Sequence, residues 1–392
     1  MEEVSQNASG DGMTESNSPF RVVSSSVAPF RLDFRHDVDH SLMSRSHTVN
    51  VCAVLESDSG FRGYGESVPR SYVTGETTES VITFLDRALP SISSPVFSSP
   101  RQVIETLNDI GISESGSKNP AGMCALDLAL LDLAGKHWNM PVSRLLGLPF
   151  HGKPLVYSLI VPLFPERELR KSIARAKTFD FEHVKIKVGT KDPAGRVHRI
   201  KTMFGNGREF RVDANCSWTA PEAQNHMREL AALGVVSIEQ PLQPDELENT
   251  AELRKNGLPL IVLDESISTP DDVFRASGAG ACDIVNIRIS KCGGILGALR
   301  VVDTALKSGL GIQLGAHVGE SCILSAAGAQ LASVIPQFRW LEGCFGTHLL
   351  RNDLCFNEYQ FGYSGRFTMP PGPGLGVTVS EEKLRESREL IT

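Results

Sequence analysis

Lysines and carboxylates recur at a nearly constant interval through the second half of the sequence. Seven polar residues each end a short apolar run, and neighbouring members of the series are 25–27 residues apart. In chain order they are Lys187, Asp213, Glu239, Asp264, Lys291, His317 and Glu342. A repeating strand–helix unit of constant length would place such residues at the same height around a barrel, at the face where barrel enzymes carry their chemistry. The interval therefore predicts that these side chains converge.

Three successive members of the series are acids. Asp213, Glu239 and Asp264 would form an all-carboxylate cluster. Carboxylates held together repel one another and raise one another's pKa unless a cation is present. Hard oxygen ligands suit Mg²⁺ or Mn²⁺ rather than Zn²⁺. We therefore predict that these three residues bind a divalent metal ion.

Lysines flank the predicted metal site on both sides. Lys185 and Lys187 precede the acids, and Lys291 follows them. Desolvation and neighbouring cations lower the pKa of a lysine towards neutrality, as a general base requires. A metal ion beside such a base would stabilise the enolate that forms when a proton leaves the carbon next to a carboxylate. Lysines 187 and 291 are the candidate catalytic residues, with Lys185 beside them.

Each of these residues has an ordinary structural alternative. A single acid at a strand end often caps a loop, and a single lysine often extends along an apolar surface to reach water. The shared interval favours function for the series as a whole. Asn215 and Glu265 lie beside the predicted ligands Asp213 and Asp264. They would either orient these ligands or make ordinary loop hydrogen bonds.

The elements that must carry these residues alternate between short apolar runs and helix-sized segments. Eight strand candidates span residues 155–161, 184–188, 210–213, 235–239, 260–264, 284–289, 311–316 and 338–342. Continuous apolar strands that alternate with helices indicate a parallel sheet covered by helices, and eight such strands close a barrel.

The N-terminal part of the chain has a different pattern of predicted elements, with strands first and helices second. A β-rich run at 48–55 precedes a turn signal at 58–60, and helical patterns follow, the strongest at 120–138. We predict a disordered tail over 1–28, an α+β capping domain over 29–147, and the barrel over 148–355. Residues 356–392 would form a C-terminal segment that packs on the cap.

Composition excludes several classes of protein. The chain has 392 residues, 41% of them hydrophobic and 22% charged, with a formal net charge of −7. This charge argues against a nucleic-acid partner, and no apolar run reaches the length of a membrane span. Eight cysteines occur without a CxxC pair, so we expect buried thiols in a reducing compartment, and a cytoplasmic location.

The strand-end motifs resemble those of one known superfamily. VKIKVG at 184–189, VDAN at 212–215, IEQP at 238–241 and LDES at 263–266 are similar to the enolase superfamily, in its mandelate racemase/muconate lactonizing branch. NIRISKCGG at 286–294 resembles the sixth strand of the muconate lactonizing subgroup. The resemblance covers nearly everything after residue 28. It implies a modified (β/α)7β TIM barrel with an α+β N-terminal capping domain completed by the C-terminal segment.

The resemblance also implies roles. Asp213, Glu239 and Asp264 would bind Mg²⁺, Lys187 would act as the base on one face of the substrate, and Lys291 would serve the other face. Lys185 would tune Lys187. Substrate contacts are expected from four further residues. They are Arg70, Tyr72, His317 and Glu342. A small carboxylate would be the substrate, and the chain would form a homo-oligomer.

The reaction itself stays open at this point. An isomerase, either a cycloisomerase or a racemase/epimerase, is the leading hypothesis, and a syn-dehydratase of the o-succinylbenzoate synthase type is the alternative. The eighth strand ends in Glu342-Gly343-Cys344 rather than the Asp-x-Asp of dipeptide epimerases. A catalytically silent metal-binding interaction module is the alternative from another class.

Overall fold

A computed structural model describes residues 18–391 apart from 40–43, 114–117, 206, 256, 258, 357–358 and 370–371. Most of the predicted N-terminal tail therefore lies outside the described residues. Its last part does not behave as a tail, because the first strand begins at Val22. Phe20 and Val22 are buried, and the backbone of Phe20 pairs with Phe97. The boundary at residue 28 is thus wrong: the Ser-rich composition hid two apolar anchors.

The cap consists of an antiparallel sheet followed by helices. Its strands are β1 (Val22–Asp39), β2 (Ser44–Ser57) and β3 (Arg62–Ser67), paired in the order β1-β2-β3. Its helices are α1 (Thr78–Ser93), α2 (Pro100–Ser113), α3 (Pro120–His137) and α4 (Val142–Leu145).

Helix α3 connects the cap to the rest of the molecule. It is buried along almost its whole length, including both of its aspartates. Asp127 accepts hydrogen bonds from the backbone N–H groups of Ile295 and Leu296, and Asp132 accepts them from Tyr64 and Leu375. Because buried carboxylates need such partners, these acids join the cap, the barrel and the C-terminal segment.

The second half of the chain forms eight parallel strands, which confirms the predicted fold class. A short strand, β4 (Leu155–Val156), comes first. The sheet strands are β5 (Leu159–Val161), β6 (His183–Lys187), β7 (Glu209–Asp213), β8 (Ser237–Glu239), β9 (Leu260–Leu263), β10 (Ile284–Ile287), β11 (Gly311–Leu314) and β12 (Phe338–Leu341). They follow chain order around the sheet. The N–H of Ser158 donates to the carbonyl of Leu341 at 2.7 Å, which closes the barrel.

Helices cover the outside of this barrel. They are α5 (Glu166–Lys177), α6 (Pro193–Phe204), α7 (Ala220–Ala232), α8 (Leu247–Arg254), α9 (Pro270–Ala279), α10 (Gly294–Lys307) and α11 (Cys322–Val334). After the barrel come β13 (Arg366–Phe367), which pairs with β4, and α12 (Glu381–Glu389). Of the described helices, none has the length and apolar character to cross a membrane.

The predicted strand at 155–161 is in fact two strands. Leu155 and Val156 pair with β13, whereas Leu159 to Val161 pair with β6. An apolar run indicates a buried strand but not its partner, so the sequence could not reveal the change of partner at Tyr157.

Two cysteines depart from the expectation of reduced thiols. Cys322, the first residue of α11, forms a disulfide with Cys355, their Cα atoms 6.2 Å apart. The other six cysteines are free thiols. The expectation was wrong for this pair because residues 33 positions apart are brought together only by the fold.

Candidate active site

The strand-end series lies at one end of the barrel. Lys187, Asp213 and Glu239 are the last residues of β6, β7 and β8, and they are neighbours in the strand register. The other four members come just after their strands. They are Asp264, Lys291, His317 and Glu342. All seven side chains are buried. Side chains alternate between the two faces of a strand, so Lys185 points inward with Lys187 while Val184 and Ile186 pack outward.

Lys185 lies among the carboxylates. Its Nζ is 3.1 Å from Glu239 Oε1, 3.4 Å from Asp213 Oδ2 and 2.6 Å from Glu342 Oε2. Burial alone would lower the pKa of Lys185, but the charges of Glu239, Glu342 and Asp213 outweigh it and raise the pKa above its ordinary value. Lys185 therefore stays protonated and is not a proton acceptor at neutral pH.

Asp264 is held by two cations. Lys291 Nζ lies 2.7 Å from Asp264 Oδ1, and Arg288 forms an ion pair with Asp264 Oδ2. Lys291 Nζ also donates to the backbone carbonyl of Asn286 at 3.0 Å. In this arrangement Lys291 is directed at a predicted metal ligand rather than into open space.

The three acids fit a divalent cation in chemistry but do not form a closed cage. Among the residues that the structure describes, no three His, Cys, Asp or Glu side chains converge into a metal-binding group. Asp213 Oδ2 and Glu265 Oε2 are nevertheless buried without a hydrogen bond from any described residue. Buried polar atoms normally have partners. Asp213 Oδ2 has only the Lys185 Nζ charge 3.4 Å away, so both oxygens retain lone pairs that a cation can use. An all-oxygen donor set suits Mg²⁺ or Mn²⁺.

The pKa of Glu265 shows that this carboxyl lies close to two of the predicted metal ligands. Burial and the charges of Asp213 and Glu239 raise the pKa of Glu265 to about 7. Its Oε1 accepts a hydrogen bond from Asn215 Nδ2 at 3.3 Å. Asn215 thus connects Glu265 to Lys187, whose Nζ donates to Asn215 Oδ1 at 3.0 Å. The structure brings both flanking residues next to the predicted catalytic groups.

Of the three lysines, Lys187 is the one that both lines a cavity and has a lowered pKa. It lines a cavity of about 720 Å³, together with Lys185, Asp213 and Arg288. Burial lowers the pKa of Lys187, and Asp213 only partly opposes the shift. Lys291 is fully buried and is not among the residues that line this cavity in the described chain. Lys187 is therefore the lysine best placed to exchange a proton with a bound molecule.

His317 and Glu342, two of the predicted substrate contacts, both line this cavity. Burial lowers the pKa of His317 well below its ordinary value, so its imidazole is neutral. Glu342 is already engaged, because it pairs with Lys185 and with Arg211 Nη1 at 3.0 Å. It lies between the two cations rather than standing free for a ligand.

The two predicted substrate contacts in the cap, Tyr72 and Arg70, lie in different environments. Tyr72 lines the cavity and is 36% exposed. Arg70 is buried and does not line it: its guanidinium donates to Thr48 Oγ1 at 2.6 Å, to Val318 O at 3.1 Å and to Pro69 O at 2.8 Å. The structure gives Arg70 a connecting role between the cap and the loop after β11.

Sequence reasoning missed two arginines of the site. Arg288 lines the cavity next to Asp264, and Arg211 is buried against Glu342, Ser158 and the ring of Trp340. A signal existed for Arg211, since it precedes Asp213 by two positions on a strand and so shares its inward face. Arg288 lies in the sixth-strand motif, three residues before Lys291.

Comparison with known proteins adds an independent line of evidence. Residues 30–147 match the family model "Mandelate racemase / muconate lactonizing enzyme, N-terminal domain", and residues 167–383 match "Enolase C-terminal domain-like". An N-succinyl-L-Arg/Lys racemase of Bacillus cereus is 29% identical over 91% of this chain and 95% of its own length. Muconate cycloisomerase 1 of Acinetobacter baylyi is 28% identical over 84% of this chain and 86% of its own.

A solved structure shows the same fold. The dipeptide epimerase of Enterococcus faecalis V583, crystallised with Mg and the dipeptide L-Leu-L-Tyr, superposes with a TM-score of 0.81. The match covers 92% of this chain and 100% of the epimerase, at 22% sequence identity.

Proposed function

Because the chain belongs to the mandelate racemase/muconate lactonizing enzyme family, whose compared relatives are isomerases, we propose that it is a Mg²⁺-dependent isomerase. It removes the α-proton of a carboxylate substrate and returns a proton to the product. Racemisation and epimerisation begin with this proton removal. Cycloisomerisation of an unsaturated diacid forms the same kind of enolate when a carboxylate oxygen adds to the double bond, and it ends with protonation of the α-carbon; its reverse begins with α-proton removal. The observation that carries the proposal is the position of Lys187, a buried lysine of lowered pKa at the wall of a cavity beside Asp213.

Asp213, Glu239 and Asp264 are the residues that would hold the metal ion. When bound, Mg²⁺ supplies positive charge that offsets the negative charge developing on the substrate carboxylate. The E. faecalis epimerase was crystallised with Mg, which agrees with the oxygen donors of this site. Lys185 forms ion pairs with Glu239 and Glu342 and balances part of the negative charge of the site.

The proton chemistry rests on this chain's own groups. Lys187 in its neutral form accepts the α-proton from one face of the substrate, and Asn215 orients its Nζ through the 3.0 Å hydrogen bond. A lysine whose pKa lies nearer neutrality has a larger neutral fraction at working pH. Lys291 serves the opposite face after it exchanges its contact with Asp264 for the substrate. Arg288, at the cavity wall, is a cation that can receive the substrate carboxylate.

The proposal is tested by solvent exchange. The protein is incubated in D₂O with Mg²⁺ and a library of dipeptides, N-acylamino acids and unsaturated diacids, and α-proton loss is followed by NMR. We expect exchange of at least one class. EDTA should abolish it entirely, and Lys187→Ala should abolish it for the enantiomer whose α-proton faces Lys187. Lys307→Ala, at an exposed lysine of α10, is the control and should keep full activity. Exchange that survives Lys187→Ala unchanged, for every substrate, contradicts the proposal.

A further inference from the structure

A wall of aromatic rings faces the same cavity as Lys187. Its members, here called the aromatic wall, are Phe179, Phe181, Phe345, His348 and Phe361. The ring centroids of Phe179 and His348 lie 5.2 Å apart, those of Phe181 and Phe361 5.3 Å, and those of Phe345 and Phe361 5.4 Å. Contacts at these separations make the wall one continuous packed unit.

Three separate parts of the chain build the aromatic wall. Phe179 and Phe181 lie between α5 and β6, Phe345 and His348 follow β12, and Phe361 belongs to the C-terminal segment. The side chains of Phe181 and Phe361 are buried, whereas those of Phe179 and Phe345 are half-buried. Apolar surface that faces an internal cavity is stabilised when an apolar group covers it, at about 25 cal/mol per Å². Since Lys187 and Asp213 line the same cavity, the group that covers the wall is part of the substrate.

The charges around the cavity restrict that group further. Of the four acids among the described lining residues, Asp213 and Glu342 are paired with Lys185. The other two, Asp37 and Glu168, are exposed. A cationic substituent held against the aromatic wall would therefore meet no unpaired acid in the described inner part of the cavity. Burial of an unpaired charge is costly.

A second anionic group on the substrate is disfavoured for the same reason. The inner basic residues, Lys185, Lys187 and Arg288, lie beside the metal-binding acids where the reacting carboxylate belongs. The remaining lysine and arginine of the lining, Lys171 and Arg175, are exposed residues of α5. Among the described lining residues, the members of the aromatic wall are four phenylalanines and one histidine, none of which carries a carboxylate or an ammonium group.

We propose that the substrate is a carboxylate whose substituent at the reacting carbon is uncharged and apolar, either aromatic or branched aliphatic, and packs on the aromatic wall. This inference rests on the proposed function, because it places the reacting carboxylate at Lys187. It distinguishes the chain from a racemase of arginine and lysine derivatives, the activity in the name of the B. cereus relative.

The test compares four ligands that share one reacting centre. N-acetyl-L-phenylalanine, N-acetyl-L-alanine, N-acetyl-L-glutamate and N-acetyl-L-lysine are titrated into the Mg²⁺-loaded protein by calorimetry. We expect the phenylalanine derivative to bind about tenfold or more tighter than the other three, since burial of an aromatic side chain is worth roughly 1.5–3 kcal/mol. Tightest binding of the glutamate or lysine derivative, or equal binding of all four, overturns the inference and leaves the proposed function standing.

Variants then assign the preference to the wall. Phe345→Ala and Phe179→Ala should each reduce the preference for the phenylalanine derivative over the alanine derivative. Phe274→Ala removes a phenylalanine that is 61% exposed on α9, outside the cavity, and should leave the preference unchanged. If none of the four ligands binds while Mg²⁺ itself does bind, this inference fails, and the proposed function is decided separately by the D₂O exchange of the dipeptides and unsaturated diacids.

Discussion

Lys291 Nζ and Asp264 Oδ1 lie 2.7 Å apart, and both side chains are fully shielded from solvent. One predicted base is thus bonded to one predicted metal ligand. Arg288 pairs with the other oxygen of the same carboxylate. A cation that binds Asp264 would therefore compete with two positive side chains, and we expect the charge of Lys291 to limit metal affinity.

Removal of that charge should strengthen metal binding. We expect Lys291→Met to raise the Mg²⁺ affinity of the substrate-free protein by about tenfold or more, because one nearby positive charge in a buried site is worth more than about 1 kcal/mol. Calorimetric titration of Mg²⁺ measures the change, and Lys307→Met is the matched control. An unchanged or weaker affinity in a folded Lys291→Met variant would show that Asp264 is not a metal ligand.

Arg70 should matter for stability more than for ligand binding. Its guanidinium satisfies Thr48 Oγ1 and the carbonyls of Val318 and Pro69, which link the cap to the loop that carries His317. Arg70→Ala should lower the free energy of unfolding by about 1–3 kcal/mol, since it leaves buried acceptors unpaired. Urea unfolding measures this, with the exposed Arg170→Ala as control. If Arg70→Ala abolishes ligand binding at unchanged stability, the original expectation of a substrate contact is correct instead.

The Cys322–Cys355 disulfide predicts the number of reactive thiols. Denatured, unreduced protein should expose six thiols to a thiol reagent, and reduced protein eight. Cys322→Ser/Cys355→Ser should lose about 3–4 kcal/mol of stability in the chain-entropy view, whereas Cys216→Ser, at a free cysteine, retains the bond. Eight reactive thiols before reduction would contradict the pairing.

Glu320 should make stability depend on pH. Burial raises the pKa of Glu320 from 4.5 to about 8, although the N–H of His317 donates to its carboxylate at 2.7 Å. The folded protein therefore retains this proton over a range in which the unfolded chain releases it. The stabilisation is complete below about pH 4.5 and is lost as the pH rises towards 8.

The measurement is urea unfolding of the wild type and Glu320→Gln from pH 5 to pH 8. The stability of the wild type relative to the variant should fall by up to about 1.4 kcal/mol per pH unit. A difference that does not vary with pH, or that rises, would mean that Glu320 is ionised in the folded protein.

The spacing of the strand-end residues predicted the barrel and the position of the series at one end of it. This worked because strand register converts a sequence interval into height: Lys187, Asp213 and Glu239 are register neighbours. The same reasoning could not place Lys291, which follows β10 by four residues and turns back onto Asp264. Beyond the strand end, the path of the turn decides where a side chain points.

Other features depended on long-range pairing that a single sequence does not record. Arg70 occupies a loop position typical of an exposed residue, but the barrel loop at Val318 covers it. The aromatic wall joins residues from 179 to 361 and has no periodic signature along the chain. Phe20 lies in a polar stretch typical of a disordered tail, but its backbone pairs with Phe97, which is distant in sequence.

The stereochemistry of exchange tests the central claim most directly. In D₂O with Mg²⁺, both enantiomers of the best substrate should exchange their α-proton in the wild type and interconvert. Lys187→Ala should abolish exchange of one enantiomer and Lys291→Ala that of the other, and interconversion should be lost in both. If either variant still interconverts the enantiomers at the wild-type rate, the two-lysine mechanism is contradicted.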